Sequence, residues 1–323
     1  MKRRLTWLLP VLLIALLCLQ ACSPQRRPTP GGGVPAIPQQ ISRGANKEPT
    51  LKVYMKDTKE VKEMKFEDYI AGVVAAEMEP SWPMEALAAQ AILARTFTLQ
   101  KIAKEGGVPS RKADASSDIE EFQAYDASRI NDRVREAVQR TRGEVAAQNG
   151  QFIRAWFHAN SGGLTADAME GLGFDKEPTP YVVPVEDAIS QQAAPEEQRT
   201  WTASFSKAEV KKAVQKVGPT VGDFNNIQIV ERGASGRATK FGIGSAVVSG
   251  PAFRLAVGST KMRSTLIESI IVKGDRVTFK GKGYGHGVGM SQWGAKGRAE
   301  QGQKAEDIVK AYYQNINIHK IWE

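Results

Sequence analysis

Apolar residues recur at strand-like or helix-like spacing through most of the chain after position 50. Residues 51–55 alternate as a strand does, and residues 65–78 carry apolar side chains at helical spacing. Residues 84–104 predict a second helix, because they are rich in alanine and stop at a glycine pair. Later segments predict helices at 129–142, 206–217 and 304–313, strands at 144–147 and 152–157, and an antiparallel β section over 227–279. With no internal repeat, the pattern indicates an α+β protein.

The first predicted helix places one carboxylate on its apolar side. At 100° per residue, the stripe centred on Ile70 also contains Phe66, Val73, Val74 and Glu77. By contrast, Glu67, Asp68 and Glu79 leave this stripe. A buried carboxyl group has a raised pKa and stays protonated near neutral pH, as a general acid must. The alternative is a glutamate at a helix end that reaches solvent or pairs with an arginine.

The second predicted helix has a stripe of mostly small residues, at Leu87, Ala91, Ala94 and Thr98. Such a stripe lets another element approach closely. Arg95 flanks the stripe and is a candidate partner for a buried carboxylate or for a ligand oxygen. The alternative is an exposed helix arginine.

The strand predicted at 152–157 runs into a polar loop, HANSGGLT, at residues 158–165. His158 and Ser161 therefore lie at a strand end, where a tight loop can present them to a ligand. No G-x-S-x-G elbow surrounds Ser161, which argues against a serine hydrolase. The chain's three histidines, His158, His286 and His319, show no spacing that suggests zinc, so we predict no metal site.

Residues 281–297, GKGYGHGVGMSQWGAKG, hold seven glycines, five of them at every second position. No phosphate-binding glycine motif fits this stretch in any register. If the chain is extended here, one face is bare backbone and the other carries Tyr284 and His286. A bare face suits close approach by a ligand. The alternative is a bulged or bent strand whose glycines serve backbone geometry alone.

The start of the chain predicts export. Basic residues at positions 2–4 precede an apolar run over residues 8–19, which is typical of a signal peptide and short for a membrane-spanning helix. The run ends in LQAC, which resembles a lipoprotein cleavage box with Cys22 as the lipidated residue. Gln20 is unusual in such a box, so ordinary cleavage and a retained anchor are the alternatives.

These features predict the organisation of the chain. Residues 1–21 form a lipoprotein signal peptide, and residues 22–50, rich in Pro, Gly, Gln and Arg, form a disordered tether. The expected location is the outer face of the cytoplasmic membrane, or elsewhere in the cell envelope. Residues 51–323 form the domain, either whole or as two lobes of about 51–190 and 191–323.

Composition narrows the chemistry further. Cys18 and Cys22 are the only cysteines, so a mature chain that starts at Cys22 has no thiol for a disulfide or a zinc thiolate site. The formal net charge is +9, and +6 without the three basic residues of the leader. A modest positive excess favours lipid head groups or wall polymers as surroundings, with simple solubility as the alternative. Nucleic acid is not an expected partner of an exported chain.

Four segments occur together: YIAGVVAAEMEPSWPMEALAAQAILARTFTL (69–99), FHANSGGLT (157–165), FRLAVGSTKMRST (253–265) and GKGYGHGVGMSQWGAKGRA (281–299), with an AYYQNI tail (311–316). With these segments the chain resembles the stage II sporulation protein D family, the SpoIID/LytB group of bacterial wall proteins. The resemblance implies lytic transglycosylase activity on peptidoglycan glycan strands, preferentially strands without stem peptides, leaving 1,6-anhydro-N-acetylmuramyl ends. It places the catalytic glutamate at Glu77 and implies no cofactor. Some relatives bind zinc through cysteines near the histidine motif, and this chain has none there.

The resemblance also implies a layout for the site. The helix that carries Glu77 packs with a mixed or antiparallel β section around a glycan-binding groove. Glu77 acts first as acid and then as base, because the muramyl 6-hydroxyl replaces water as nucleophile. The expected substrate-binding residues are Arg95, His158, Ser161, Tyr284, His286 and Gln292. The partners are glycan strands and, through the N-terminal lipid, the membrane. The alternatives are a wall-binding protein that stimulates a cell-wall amidase and a structural lipoprotein scaffold.

Overall fold

The computed structural model describes residues 33–323, so the predicted signal peptide and the lipidated Cys22 lie outside the described residues. Buried apolar side chains form two separate cores. The first core is built from residues 41–182 and again from residues 288–322. The second core is built from residues 201–279, which lie between those two stretches. We call the parts packed around these cores the first lobe and the second lobe.

Residues 33–199 contain six strands and six α-helices. In order they are β1 (Thr50–Met55), β2 (Glu60–Lys65), α1 (Phe66–Glu77), α2 (Met84–Glu105), β3 (Ala115–Ser116), α3 (Asp132–Arg140), β4 (Glu144–Gln148), β5 (Gln151–Phe152), β6 (Phe157–His158), α4 (Ala168–Leu172), α5 (Ala188–Ala193) and α6 (Glu196–Arg199). Short 3₁₀ turns cover Pro109–Arg111 and Ala127–Arg129.

The remaining elements form the second lobe and then return to the first. They are β7 (Thr200–Ser206), α7 (Lys207–Lys216), β8 (Ile227–Arg232), β9 (Ala238–Ile243), β10 (Ala246–Ser249), α8 (Gly250–Val257), β11 (Ile267–Lys273), β12 (Arg276–Lys282), β13 (Met290–Ser291), α9 (Gln292–Glu300), α10 (Ala305–Tyr312) and β14 (Asn317–Lys320). The α+β class is therefore as predicted. The helix α8 lies inside the section predicted to be β.

Helix α2 occupies the centre of the first lobe. It packs against α1, α3, α9, α10 and β4, and its alanines allow these elements to come close. Gly106 ends the helix in the left-handed conformation, with φ of 72°. Both α1 and α2 bury residues around most of their circumference, so their polar residues are buried with the apolar ones. This arrangement explains why a single apolar stripe describes neither helix well.

Within the described residues the strands form five small sheets. In the first lobe β1 pairs with β2 and β3, β4 pairs with β14 and β5, and β6 pairs in parallel with β13. The second lobe holds two antiparallel sheets, β11-β12-β7 and β10-β9-β8. The pair β6–β13 brings the loop after His158 beside the start of α9. Segments far apart in the sequence therefore meet there.

The second core begins near residue 201 and ends near residue 279. The predicted division into lobes at about residue 190 does not take account of the return of residues 288–322 to the first core. We propose instead that the second lobe is an insertion between two parts of the first lobe. The two connections between the lobes then lie near residues 195–200 and 280–287.

The predicted tether needs a correction, because its described part is packed on the first lobe. Ile41 is buried, and Asn46 forms a β-bridge with Trp322. The carboxylate of Glu48 pairs with Arg142 and accepts a hydrogen bond from the Glu67 N–H group at the start of α1. Apolar and charged contacts of this kind hold residues 33–50 in place, so the prediction of disorder is wrong for them.

Candidate functional site

Glu77 is the last residue of α1, and its side chain is half-buried. Its Oε1 atom accepts a hydrogen bond from the Ala124 N–H group at 3.0 Å. Burial raises the pKa of Glu77 to about 7, although Ala124 and Gln292 each lower it in part. The neighbouring acid Glu79 is exposed and pairs with Arg129, as expected for a residue off the buried side. Glu77 is therefore the carboxyl group of α1 suited to proton transfer near neutral pH.

Gln292 faces Glu77 from the first position of α9. The Ser291 side chain caps this helix by accepting from Gly294 N–H. The Gln292 side chain is buried, and its amide is directed at the Glu77 carboxyl group, whose pKa it lowers. Among residues 33–323 its Nε2 atom has no other hydrogen-bond partner. The Gln292 amide therefore orients the Glu77 carboxyl group.

His158 and His286 lie side by side, with ring centroids 5.6 Å apart. The Val288 carbonyl accepts from His158 Nδ1 at 3.1 Å, and the Val288 N–H group donates to His286 Nδ1 at 3.0 Å. These two bonds fix the tautomers: neutral His158 keeps a lone pair on Nε2, and neutral His286 keeps its proton on Nε2. Within the described chain, the Nε2 atom of His158 is buried and has no hydrogen-bond partner. His158 is therefore the inner residue of the pair, and His286 is the outer one.

Both histidines are neutral at physiological pH. The pKa of His286 is lowered to about 3. Burial is the largest cause, and the nearby cations Arg254 and Arg237 add to it. Burial likewise holds the pKa of His158 well below its usual range, with His286 and Arg237 adding to the effect. The pair can therefore offer neutral hydrogen-bonding groups and does not supply a positive charge.

A continuous series of contacts joins Glu77 to Arg263, and we call it the site strip. From Gln292 it passes to the next residue, Trp293. The backbone N–H group of Trp293 donates to the Ala159 carbonyl at 3.0 Å. The next residue, Asn160, pairs through both backbone groups with Tyr284. The Tyr284 ring then lies 5.0 Å from the Arg263 guanidinium carbon. Gln292 thus lies beside Glu77, and Tyr284 is linked to Gln292 through these backbone contacts.

An aromatic pair borders the strip near Glu77. Trp82 follows α1 in the turn that leads to α2, and its ring centroid lies 4.6 Å from that of Trp293. Both indoles are partly exposed. The sequence did not single out Trp82, because no spacing rule links it to a residue as far along the chain as Trp293.

Two predicted substrate-binding residues are placed elsewhere. Arg95 is fully buried and pairs with Glu67, with Nη2 to Oε2 at 2.8 Å and Nε to Oε1 at 3.1 Å. Glu67 also accepts from the Trp322 indole at 2.8 Å. The role assigned to Arg95 at the ligand is therefore wrong, because its charge is neutralised inside the first core.

Ser161 is the second correction. It is fully buried, and its hydroxyl donates to Asp187 Oδ2 at 2.7 Å. Asp187 also accepts from the Tyr312 hydroxyl at 2.7 Å, and burial raises the pKa of this carboxyl group. Ser161 therefore ties its loop to α5 and α10 beneath the strip and is not available to substrate.

The glycine segment is not extended beyond residue 282. Gly283, Gly285, Gly287 and Gly289 all have positive φ, between 69° and 110°. A Cβ at Gly285 would lie 2.6 Å from the His158 Cβ, and one at Gly287 would lie 2.3 Å from the Arg237 guanidinium carbon. The bare backbone therefore packs on the protein interior and not on a ligand, so the backbone-geometry alternative is correct.

Arg237, the residue just before β9 of the second lobe, holds the loop that follows His158. Its guanidinium donates to the carbonyl oxygens of Ser161 and Leu164. Glu170 of α4 accepts hydrogen bonds from Ser235 and from the Arg237 backbone. A buried arginine and a buried glutamate thus join the two lobes directly behind the histidine pair.

Residues 33–323 contain no group of three or more His, Cys, Asp or Glu side chains placed to hold a metal ion. No helix within that range is long and apolar enough to span a bilayer.

These features define an α+β protein with an isolated carboxyl group of raised pKa beside a histidine-bearing glycine segment. The sequence model of the stage II sporulation protein family (SpoIID) matches residues 54–147, and a domain of unknown function matches residues 188–289. The chain is 32% identical over 291 residues to stage II sporulation protein D of Bacillus amyloliquefaciens, which covers 84% of this chain and 81% of that protein. The chain therefore belongs to the stage II sporulation protein D family, and the resemblance is confirmed.

Two further relatives are similar. An uncharacterized protein of Brachyspira hyodysenteriae is 32% identical over 259 residues, which is 80% of this chain and 67% of that protein. The amidase enhancer of Bacillus subtilis (strain 168) is 28% identical over 303 residues, which is 77% of this chain and 40% of that protein.

Proposed function

We propose that this protein is a peptidoglycan lytic transglycosylase that cleaves denuded glycan strands and leaves 1,6-anhydro-N-acetylmuramyl ends. The observation that supports the proposal is the Glu77 carboxyl group, which lies beside Gln292 and the Ala124 N–H group and whose pKa burial raises to about 7. At neutral pH such a group is protonated in a large fraction of molecules and is also a competent base once deprotonated. One residue can therefore serve both halves of the reaction.

The proposed reaction consumes no water. Glu77 donates its proton to the glycosidic oxygen while the bond between that oxygen and the anomeric carbon breaks. The resulting carboxylate takes the proton of the muramyl 6-hydroxyl, and the hydroxyl oxygen bonds to the anomeric carbon. Glu77 ends protonated, ready for another cycle. A hydrolase would need a second carboxyl group to act on water or on the anomeric carbon.

The site strip supplies groups suited to a sugar polymer. The Gln292 amide beside Glu77 and the His286 Nε2–H group are donors that a sugar hydroxyl or acetamido oxygen could accept from. The indoles of Trp82 and Trp293 offer apolar faces for pyranose rings. His158 orders His286 through Val288, so its contribution is indirect.

Glu77→Gln tests the proposal. Glutamine keeps the size of the side chain and an acceptor for Ala124 but delivers no proton, so turnover should fall about a hundredfold or more while glycan binding persists. Glu79→Gln is the matched control, and its activity should stay near the parent's. The measurement is mass spectrometry of anhydromuramyl products from denuded glycan. Near-parental product from Glu77→Gln would refute the assignment.

The similarity to an amidase enhancer favours a second candidate, a wall-binding protein that stimulates an amidase. The same assay separates the two functions. Saturable glycan binding without any anhydromuramyl product would support the enhancer. Family membership supports a location in the cell envelope for either function, and we propose that a lipid on Cys22 holds the protein there.

A further inference from the structure

Arg263 forms the far end of the site strip. Its carbonyl accepts from the Gly285 N–H group at 2.8 Å, and its guanidinium carbon lies 5.0 Å from the Tyr284 ring centroid. One guanidinium nitrogen, Nη1, donates to the Glu197 carbonyl at 2.6 Å. Within residues 33–323 this is the one hydrogen bond that the Arg263 side chain makes. A guanidinium has five N–H donors. Arg263 is thus oriented but keeps donors for a ligand.

A second arginine holds the loop that carries Arg263. Arg254 of α8 is buried, and its Nε atom donates to the carbonyl oxygens of Met262 and Arg263 at 3.1 and 3.0 Å. Its Nη2 atom reaches the Ser259 carbonyl at 3.4 Å. These bonds commit a buried cation to backbone carbonyls alone. The loop is therefore built to present Arg263 at a fixed position.

Arg263 also lines a cavity of about 480 Å³ beside the strip. Lys261 adds a second cation to its wall, Glu197 adds one carboxylate, and hydroxyl groups come from Thr200, Thr202, Ser204 and Thr260. Two cations with several hydroxyls suit an anionic, oxygen-rich group. Arg263 belongs both to this lining and to the strip, so an occupant bound by Arg263 could belong to a ligand that lies on the strip.

We propose that Arg263 and this cavity form a subsite for the carboxylate of the lactyl ether on N-acetylmuramic acid. The proposal rests on the proposed function, which supplies the glycan. When a stem peptide is removed, the lactyl group changes from a neutral amide to a carboxylate. A guanidinium can bind that carboxylate through two hydrogen bonds, whereas it gains no charge interaction with the amide. Arg263 would therefore make the site selective for denuded strands.

Equilibrium binding with the full chain tests the proposal. The measurements use Glu77→Gln so that no substrate is consumed. The two probes are denuded glycan and chitooligosaccharides of equal length, which have no lactyl group. Denuded glycan should bind about tenfold more tightly at low ionic strength, and Arg263→Gln should remove this difference while chitooligosaccharide binding stays unchanged. Added salt should shrink the difference, because the interaction is between charges.

Arg276→Gln is the matched control, since Arg276 is exposed at the other end of β12 and carries the same charge. It should keep the discrimination. Equal binding of both probes by Glu77→Gln, or full discrimination when Arg263→Gln is added to it, would overturn the subsite. Tighter binding of peptide-bearing strands that depends on Arg263 would assign it to stem-peptide carboxylates and overturn the lactyl assignment. If the parent forms no anhydromuramyl product while Glu77→Gln still discriminates between the probes, the subsite stands and the proposed activity is refuted.

Discussion

Glu67 and Glu77 are carboxylates of the same helix, yet their surroundings give them different chemistry. Glu67 accepts hydrogen bonds from Arg95, Trp322 and the Gly143 backbone, so its charge is matched inside the core. Glu77 has one backbone donor at its carboxylate and Gln292 nearby, and no cation offsets its burial. Desolvation therefore dominates at Glu77, which raises its pKa and suits it to acid–base chemistry.

The raised pKa of Glu77 predicts a stability that depends on pH. The folded protein holds this proton up to a pH of about 7, whereas an unfolded glutamate loses it near 4.5. The stabilising contribution is therefore complete below pH 4.5 and is lost as the pH rises to about 7. At pH 8, Glu77→Gln should then unfold at a higher temperature than the parent. Its free energy of unfolding should exceed that of the parent by at most about 3 kcal/mol. At pH 4.5 the two proteins should be alike.

Thermal unfolding at several pH values measures this difference, with Glu79→Gln as control. A constant gap between Glu77→Gln and the parent from pH 4.5 to 8 would contradict the assigned pKa. The catalytic rate should also fall above about pH 7, because deprotonated Glu77 cannot act as the acid.

Residue periodicity placed Glu77 on the packed side of α1 but wrongly left Glu67 off it, and the sequence did not reveal the partners of Arg95 and Ser161. A period of 3.6 separates a buried side from an exposed one, and α1 and α2 are buried nearly all round. In such helices a buried charged residue is stabilised by a hydrogen-bonding partner on another element. The partner of Arg95 is on α1 and that of Ser161 is at position 187, and no local pattern links them.

At the scale of elements, the glycine segment shows what alternation alone leaves undetermined. Glycine at every second position fits an extended strand as well as a chain with repeated left-handed residues. The neighbours decide between them: residues 283–289 lie against the loop 156–163 and Arg237, and side chains on the glycines would collide with both. The segment is therefore a scaffold that sets Tyr284 and His286, while Val288 fixes the two imidazoles.

Gly287→Ala should destabilise the protein by about 2–4 kcal/mol, because it combines positive φ with a collision at Arg237. Gly222→Ala is the control, since Gly222 has open space around it and no positive φ. Its effect should stay within about 0.5 kcal/mol. Chemical denaturation measures both. A Gly287→Ala protein as stable as the control would restore the view that the glycines face a ligand.

At the scale of the whole molecule, membrane attachment is separate from the described fold. Cys22→Ala should move the exported protein from the membrane fraction to the soluble fraction, because a lipid on Cys22 is the proposed anchor. Fractionation of cells that express each form measures this. Unchanged attachment of Cys22→Ala would refute the lipid anchor. Residues 33–50 should stay with the lobe in both forms, since Ile41 and Glu48 hold them there.

The interrupted first lobe also has a consequence for synthesis. Glu77 is made early, but Gln292, Trp293 and the residues that complete the first core are made only after the whole second lobe. A nascent or truncated chain therefore has the acid without its surroundings, so its glutamate would remain an ordinary solvent-exposed carboxylate. The proposed glycan cleavage would then begin only when the end of the chain has arrived and folded. The order of the segments would thus hold back the proposed activity until synthesis of the whole chain is finished.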